Sequence, residues 1–337
     1  KLKEILNGVA LLNDLSDKTS ARIVGLGEML SSFIIHQAIL QQNMKAKLID
    51  SRELIITGDD YLNAQVKFTK TLGNIQQGLS DADARVFLLP GFVASNEKNE
   101  TTTLGRGGSD YTAAIVANAV SASVLEIWTD VSGMYTANPK LVKQAYPIEK
   151  ISYQEAMELS HFGAKVLYPP TIQPALDRRI PILIKNTLAA EDKGTLITEK
   201  SLVSGSIVKG ISHIEDIALL TLEGNGMVGV PGISKRLFGA LAENNINVKF
   251  ITQASSEHSI CIAINTEESL LAKEAVDKEF EFEILQHKVN PLIIEADLAI
   301  IALVGDNMKS HQGISGKMFS ELGTNNVNIR AIAQGST

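Results

Sequence analysis

The tightest constraint on the fold is a repetition in the second half of the chain. Gly232-Ile233-Ser234 returns as Gly313-Ile314-Ser315, an offset of 81 positions (313 − 232). At that offset Phe238 matches Phe319, Leu241 matches Leu322, and Asn244-Asn245 matches Asn325-Asn326. Asn247 likewise matches Asn328, Gln253 matches Gln334, and Ser255 matches Ser336. Each copy reads strand, glycine-bearing loop, helix, asparagine turn, strand. A fixed offset of this kind marks one supersecondary unit used twice. Packing alone would account for the duplication. Polar residues placed twice where a strand meets a helix mouth add another reading, a pair of small-molecule sites.

The first 200 residues follow a different pattern. Apolar strand-like runs alternate with helical periodicity, which predicts an α/β sandwich with a mostly parallel sheet. Residues 1–12 read as an amphipathic helix with Leu2, Ile5, Leu6 and Val9 on one side. Residues 21–24 read as a short strand. Gly25-Leu26-Gly27-Glu28 then turns into a helix running toward Asn43, which puts Glu28 near a helix start where negative charge is favoured. Residues 46–49 read as a strand, 54–57 as a short strand or buried loop, and 61–77 as a helix weakened at Gly73. Residues 86–89 read as a fully buried strand, and 180–184 and 195–197 as two more.

Between these lies Thr103-Leu104-Gly105-Arg106-Gly107-Gly108-Ser109-Asp110-Tyr111-Thr112-Ala113-Ala114. Glycine permits positive φ and close backbone approach, so the first half is a tight turn. Ser109 or Asp110 can cap the helix that the alanine-rich run favours. Amides, a guanidinium, a hydroxyl and a carboxylate then meet at one helix mouth. That combination suits a small molecule with an anionic and a cationic end. A glycine cluster alone is a weak signal, and this one does not match Gly-x-x-x-x-Gly-Lys-Ser/Thr. Val124 to Trp128 reads as a strand entering the turn-rich segment Thr129 to Pro139. Thr129 and Asp130 thus stand at a strand's carboxyl end, where ligands gather in open α/β sheets. Lys165 emerges beside the turn Phe162-Gly163-Ala164. A solvated surface position is the bland alternative for both Glu28 and Lys165, and Met157 and Leu159 need only pack.

Leu104 to Asp110, Trp128 to Pro139, and Ser152-Tyr153-Gln154-Glu155-Ala156-Met157-Glu158-Leu159 leading into Phe162-Gly163-Ala164-Lys165-Val166-Leu167 resemble the signature segments of aspartokinases. The wording is most similar to the kinase part of threonine-sensitive bifunctional aspartokinase–homoserine dehydrogenases. The resemblance implies an amino-acid-kinase three-layer α/β/α sandwich over residues 1–198, followed by ferredoxin-like α+β ACT modules. The first module and its linker strands would span 199–296. A second, incomplete one would span 297–337 and be completed in part by 206–214.

The implied reaction is ATP-dependent phosphorylation of the side-chain carboxylate of L-aspartate, with Mg²⁺ accompanying ATP. Residue by residue, Arg106 would clamp a substrate carboxylate, Asp110 with Glu28 would receive the substrate ammonium, and Ser109 would orient the bound molecule. Thr129, Asp130, Tyr135, Lys140 and Lys165 would hold the nucleotide. Gly232, Ile233, Gln253, Gly313, Ile314 and Gln334 would contact an amino-acid effector, threonine by subtype. A homo-oligomer, dimer or tetramer, is implied through the regulatory modules. Two departures stand out. Tyr168 occupies a position where the family usually has histidine, and Lys140 keeps a charge but not arginine's fork. The family's upstream Lys-Phe-Gly-Gly-Thr-Ser loop is not found, and a dehydrogenase domain with its NAD(P) would lie beyond Thr337. The expectation is a piece of a longer protein, with its own turnover in question.

Composition narrows the alternatives. A formal charge of −7 argues against general affinity for nucleic acid or an anionic membrane. No uninterrupted apolar run reaches spanning length, and no signal-peptide pattern opens the chain. Cys261, the lone cysteine, sits in apolar Ser259 to Ile264 and reads as a buried structural thiol of a reducing, cytoplasmic compartment. His36, His161, His213, His258, His287 and His311 are scattered, so no protein metal site is expected. No early Gly-x-Gly-x-x-Gly supports a dinucleotide dehydrogenase here. Two readings remain beside the aspartate kinase: a kinase of another small carboxylate, and a catalytically incomplete fragment that binds an amino acid and oligomerises. Glu28, Asp110 and the Ser-Tyr-Gln-Glu motif favour aspartate.

Overall fold

The computed structural model describes residues 2–81, 83–161, 166–200, 207–253 and 258–335. Two compact units divide it, Lys1–Gly205 and Ser206–Thr337.

In the first unit the helices α1 (Leu2–Leu12) and α2 (Asp17–Gln41) precede β1 (Ala46–Leu48), α3 (Ser51–Leu54) and β2 (Ile56–Thr57). Next come α4 (Phe68–Gly78), β3 (Val86–Leu88), the hairpin β4 (Val93–Asn96) and β5 (Thr101–Thr103), and α5 (Gly108–Val120). The remainder is β6 (Leu125–Thr129), β7 (Lys150–Ser152), α6 (Tyr153–His161), a 3₁₀ turn (Pro169–Ile172), α7 (Gln173–Asp177), β8 (Ile182–Asn186) and β9 (Thr195–Thr198). Strands pair in three ladders: β1–β3, β2–β4–β5, and β6–β8–β9–β7. The pairs β1/β3, β2/β4, β6/β8 and β7/β9 are parallel, and β4/β5 and β8/β9 are antiparallel. A mostly parallel α/β architecture is thus present. Its core near the glycine loop gathers Ile55, Ile75, Ala94, Leu104 and Ile115 between α3, α4, β4 and α5.

Several local expectations are corrected. Residues 21–24 are no strand; they belong to the 25-residue α2. Ser16 caps that helix, its Oγ accepting from the Thr19 N–H at 3.3 Å. The glycines that resembled breakers are helical, and Gly25 has a packing reason: a Cβ there would sit 2.8 Å from Val93 Cγ1. Glu28 therefore lies mid-helix. Helix α4 starts at Phe68, not 61, because the preceding loop bonds elsewhere: Gly58 N–H to Gln65 O and Ala64 N–H to Thr103 O. Strand β3 is only partly buried. The face of α1 expected to pack has no fully buried residue: Ile5 and Val9 are half-buried, and Leu2 and Leu6 are exposed. Arg22 and Glu28 interrupt α2's apolar run, yet by length and composition this helix could cross a bilayer. It contacts β1 and β5 of its own unit and leaves Leu30, Phe33 and Ile34 exposed.

The second unit is built on an antiparallel sheet, β11–β12–β10–β13. Its elements are β10 (Gly210–Glu223), α8 (Ile233–Glu243), β11 (Phe250–Gln253), β12 (Ser259–Asn265), α9 (Ser269–Glu279), α10 (Glu281–Leu285), β13 (Ile293–Val304) and α11 (Ile314–Thr324). Helices α8 and α9 cover one sheet face through Leu237, Leu241, Val276 and Phe280 against Leu220, Ile262 and Ile264. Cys261 points to the opposite apolar cluster and is only half-buried, its Sγ 3.5 Å from Thr221 Oγ1.

The repeat extends further than its most legible residues. Gly232 (φ 96°) and Gly313 (φ 85°) occupy the N-cap positions of α8 and α11, and Asn245 (φ 56°) and Asn326 (φ 58°) follow those helices in the left-handed region. At the same offset Asp216 (φ 56°) and Asp297 (φ 58°) each break a long strand. The β10/β13 register shifts at this point, with Ile217 opposite its own counterpart Leu298. Gly224 and Gly305 correspond too. A Cβ at Gly224 would run into the Lys288 carbonyl, and one at Gly305 into the Ile207 carbonyl, itself 81 positions from Lys288. Two equivalent half-strands in each long strand thus give the unit an internal two-fold relation. Gly210–Ile214 pairs with Ile300–Val304 at one end, and Leu219–Thr221 pairs with Ile293–Glu295 at the other.

Candidate active site

The segment from β5 to α5 is fixed by a dense set of backbone contacts. Thr103 N–H donates to Tyr61 O at 2.8 Å, Leu104 N–H to Phe92 O at 2.9 Å, and Gly108 N–H to Gly105 O at 3.0 Å. Gly105 and Gly107 both have φ of 71°, where a side chain is disfavoured. Gly107 itself is the N-cap of α5, so neither Ser109 nor Asp110 caps the helix as expected. Both residues instead lie in its first turn, where the helix end favours negative charge.

A cavity of about 330 Å³ opens at this mouth, lined by Glu28, Phe92, Gly105, Gly107, Gly108, Ser109 and Asp110. That volume lies in the small-ligand range. Two carboxylates from separate elements, α2 and α5, therefore share one space. Burial pushes the Asp110 carboxyl above its ordinary range. Among the described residues Asp110 has no cationic partner. Arg106 lies between two lining glycines but does not itself line the cavity. Its guanidinium instead sits 5.5 Å from the centroid of the Tyr168 ring.

Phe92 was not anticipated. It holds a left-handed φ of 71°, uncommon for an aromatic residue, and its N–H is fixed by Thr112 Oγ1 at 3.0 Å. The preceding Pro90-Gly91 was its only sequence signal. Also unanticipated is the brace behind the hairpin. Glu100 accepts from Lys18, from Tyr61 Oη at 2.8 Å and from Asn96 Nδ2 at 2.9 Å. The Lys18 hydrogen bond leads these in holding the Glu100 carboxyl down to about 2.

The second candidate cluster stands at the carboxyl ends of the parallel strands β6 and β8. Thr129 closes β6, and its Oγ1 donates to Asp130 Oδ1 at 3.2 Å. Its backbone carbonyl accepts from Thr187 N–H at 2.8 Å, next to Asn186 at the end of β8. Asn186 Nδ2 donates to Ser132 Oγ at 2.9 Å, and Ser132 bonds Asp192. Tyr135 is half-buried, bridged to Pro147. Lys140 is exposed, its N–H held by Asn138 Oδ1 at 3.0 Å. Ser132 belongs to the turn-rich segment singled out from the sequence, whereas Asn186 joins this cluster without a sequence signal. Lys165 lies outside the described residues.

The Ser-Tyr-Gln-Glu motif has an architectural job instead of lining the cavity. Ser152 Oγ accepts from Glu155 N–H at 3.1 Å while Glu155 Oε2 accepts from Ser152 N–H at 3.0 Å, a reciprocal capping box for α6. Tyr153 Oη donates to Ile180 O at 2.5 Å, tying α6 to the edge of β8.

In the second unit, Gly232 and Gly313 stand at helix mouths, and Gln253 and Gln334 are exposed. Ile314 is half-buried. Ile233 is 7% exposed in the core, which leaves its side chain to packing.

The amino acid kinase family profile matches residues 4–186, and an ACT domain profile matches 220–280 and 301–337. The fold superposes on E. coli aspartokinase III in complex with lysine and aspartate, in its T-state, with a TM-score of 0.78. Identity there is 30%, over 99% of this chain and 75% of that one. The chain belongs to the aspartokinase family. The R-state of the same E. coli enzyme, in complex with aspartate and ADP, gives a TM-score of 0.80 at 29% identity, over 99% and 75% of the two chains. A bifunctional aspartokinase/homoserine dehydrogenase of Buchnera aphidicola subsp. Acyrthosiphon pisum is 38% identical over 338 residues. The match takes in 100% of this chain and 41% of that relative's length. The aspartokinase architecture, an α/β/α kinase fold followed by ACT-like α+β modules, thus accounts for both units.

Proposed function

We propose that the protein transfers the γ-phosphoryl group of ATP to the side-chain carboxylate of L-aspartate, giving 4-phospho-L-aspartate and ADP. The observation that carries this reading is the cavity at the mouth of α5, where Asp110 and Glu28 face one space and no Lys or Arg is among the described lining residues. Support comes from the E. coli structure that holds aspartate and ADP on the same fold.

The substrate's side-chain carboxylate is ionised at pH 7, its reference pKa being about 3.9, so no general base is needed. The protein's task is alignment and offsetting of anionic crowding. In this reading Asp110 and Glu28 take the ammonium, Ser109 and the amides of the first turn orient the molecule, and Arg106 reaches in from the rim as a bidentate clamp. Thr129, Asp130, Tyr135 and Lys140 hold the nucleotide, and Lys165 is assigned there by resemblance. Among the described residues no cluster of three or more His, Cys, Asp or Glu could cage a metal. Mg²⁺ is assigned by resemblance, arriving on the phosphates with most of its waters kept, which is its usual habit. The ion would supply charge neutralisation between the phosphoryl oxygens.

The ACT-like modules carry regulation in this account, with threonine as effector, in an assembly of at least two copies and a reducing, cytoplasmic setting. The names of the relatives support a homoserine dehydrogenase activity using NAD(P) in the complete protein. The test is hydroxamate formation from L-aspartate, ATP and Mg²⁺ by the complete protein. Turnover that requires aspartate and falls on adding threonine is expected. Equal turnover without aspartate overturns the kinase assignment, and indifference to threonine overturns the regulatory one.

A further inference from the structure

Among the described residues Arg106 has no ion pair and no hydrogen bond from its guanidinium, and it stands between glycines that offer it no side-chain support. An unsupported arginine has rotamer entropy that works against clamping a ligand. What it does have is the Tyr168 ring, 5.5 Å from its guanidinium carbon to the ring centroid.

The Tyr168 side chain is itself exposed, but its backbone is restrained. Pro169 and Pro170 follow it, and a residue before proline is confined to extended backbone. Tyr168 accordingly has φ −99° and ψ 110°. Leu167 and Ile172 on either side are 5% and 1% exposed. The segment is also tied to the far half of α5, where Asn118 Nδ2 donates to Pro174 O at 2.6 Å. Helix α5 therefore carries Arg106 at its mouth and anchors the Tyr168 segment further along, closing a rigid frame around the contact.

We infer that Tyr168 is a positioning residue for the substrate clamp: its ring holds the Arg106 guanidinium by one face and leaves the in-plane N–H donors free for a substrate carboxylate. Stacking uses the π face of the guanidinium, and bidentate pairing uses its edge, so the two do not compete. This deepens the aspartate kinase reading and rests on it. The contact with Arg106 is made by the ring, which phenylalanine keeps.

The test combines steady-state kinetics with ¹⁵N-arginine NMR on the complete protein, for wild type, Y168F and Y168A. An exposed cation–π contact predicts a rise in aspartate KM of about two- to fivefold in Y168A, with kcat and the KM for ATP unmoved. Y168F should keep the wild-type aspartate KM. The Arg106 Hε resonance should be shifted upfield by the ring in wild type and Y168F and lose that shift in Y168A. The inference is overturned if Y168F behaves as Y168A does, if the ATP KM rises in step with that of aspartate, or if the Arg106 resonance is the same in all three. Absence of aspartate-dependent turnover in wild type would overturn the kinase reading instead, while the NMR result would still decide the stacking.

Discussion

Among the described residues three helices begin on a left-handed glycine with no side-chain cap: α5 after Gly107, α8 after Gly232 and α11 after Gly313. Locally they are the same device, and their surroundings differ. Beside Gly107, a Cβ on Gly108 would meet Phe92 Cδ2 at 2.8 Å and Leu104 Cβ at 3.1 Å, and one on Gly105 would meet Asn63 Oδ1 at 2.5 Å. At Gly232 and Gly313 a Cβ would meet nothing within 4 Å. The kinase-unit mouth is closed in by side chains that shape a cavity and bury a carboxylate. The mouths of α8 and α11 place no described atom against their capping glycines in this way. Among the described residues, side chains from other elements crowd the first mouth and leave the glycines of the other two uncrowded.

The largest expected effect is at the enclosed mouth. Asp110→Asn removes the half-buried charge assigned in the proposed function to the substrate ammonium, and should lower kcat/KM for aspartate by about a hundredfold or more. Retention of near wild-type kcat/KM would break the contrast. Gly108→Ala should come next, because the added methyl must displace Phe92. A loss of about 1–3 kcal/mol in stability is expected on denaturant titration, together with a higher aspartate KM.

A pH series sharpens the same point. The burial-raised pKa of Asp110 means that ligand-free folded protein holds this proton to higher pH than the unfolded chain does. This group's contribution to stability therefore falls as pH rises from its ordinary value of 3.8 through the raised one, and Asp110→Asn removes that fall. Ammonium binding needs the ionised form, so aspartate KM should rise as pH drops through the raised value, and this acid limb should vanish in the variant.

Smaller effects belong to the mouths of α8 and α11. Gly232→Ala and Gly313→Ala should each cost about 1–2 kcal/mol from positive φ alone, and nearly equally, with no steric surcharge. Unequal costs would show that the repeat is not mechanically equivalent. Smallest is Ser152→Ala, which removes half of the α6 capping box for about 1 kcal/mol and should leave the aspartate KM unchanged.

Much of this was legible because local chemistry and final structure agree. The alanine-rich run after Gly108 is helical, the Leu125–Thr129 strand ends where its polar residues begin, and the asparagine turns of the repeat take left-handed backbone. The misses have one physical cause, contacts made far away in sequence. Ile23-Val24-Gly25 looks like a strand meeting a turn until Val93 is seen against Gly25. Phe92 reaches the cavity only because β5 and Thr112 fix its backbone. The residue types of Arg106 and Asp110 suggested opposite charges gripping one molecule. The orientation of Arg106 toward Tyr168 depends on a segment some sixty residues later, which no local pattern reveals.

Calorimetric binding of L-aspartate and of succinate, which lacks the ammonium, tests the role of the two cavity carboxylates most directly. Wild type should strongly prefer aspartate, and Glu28→Gln/Asp110→Asn should bind the two alike. A double variant that still prefers aspartate as strongly as wild type would contradict the account.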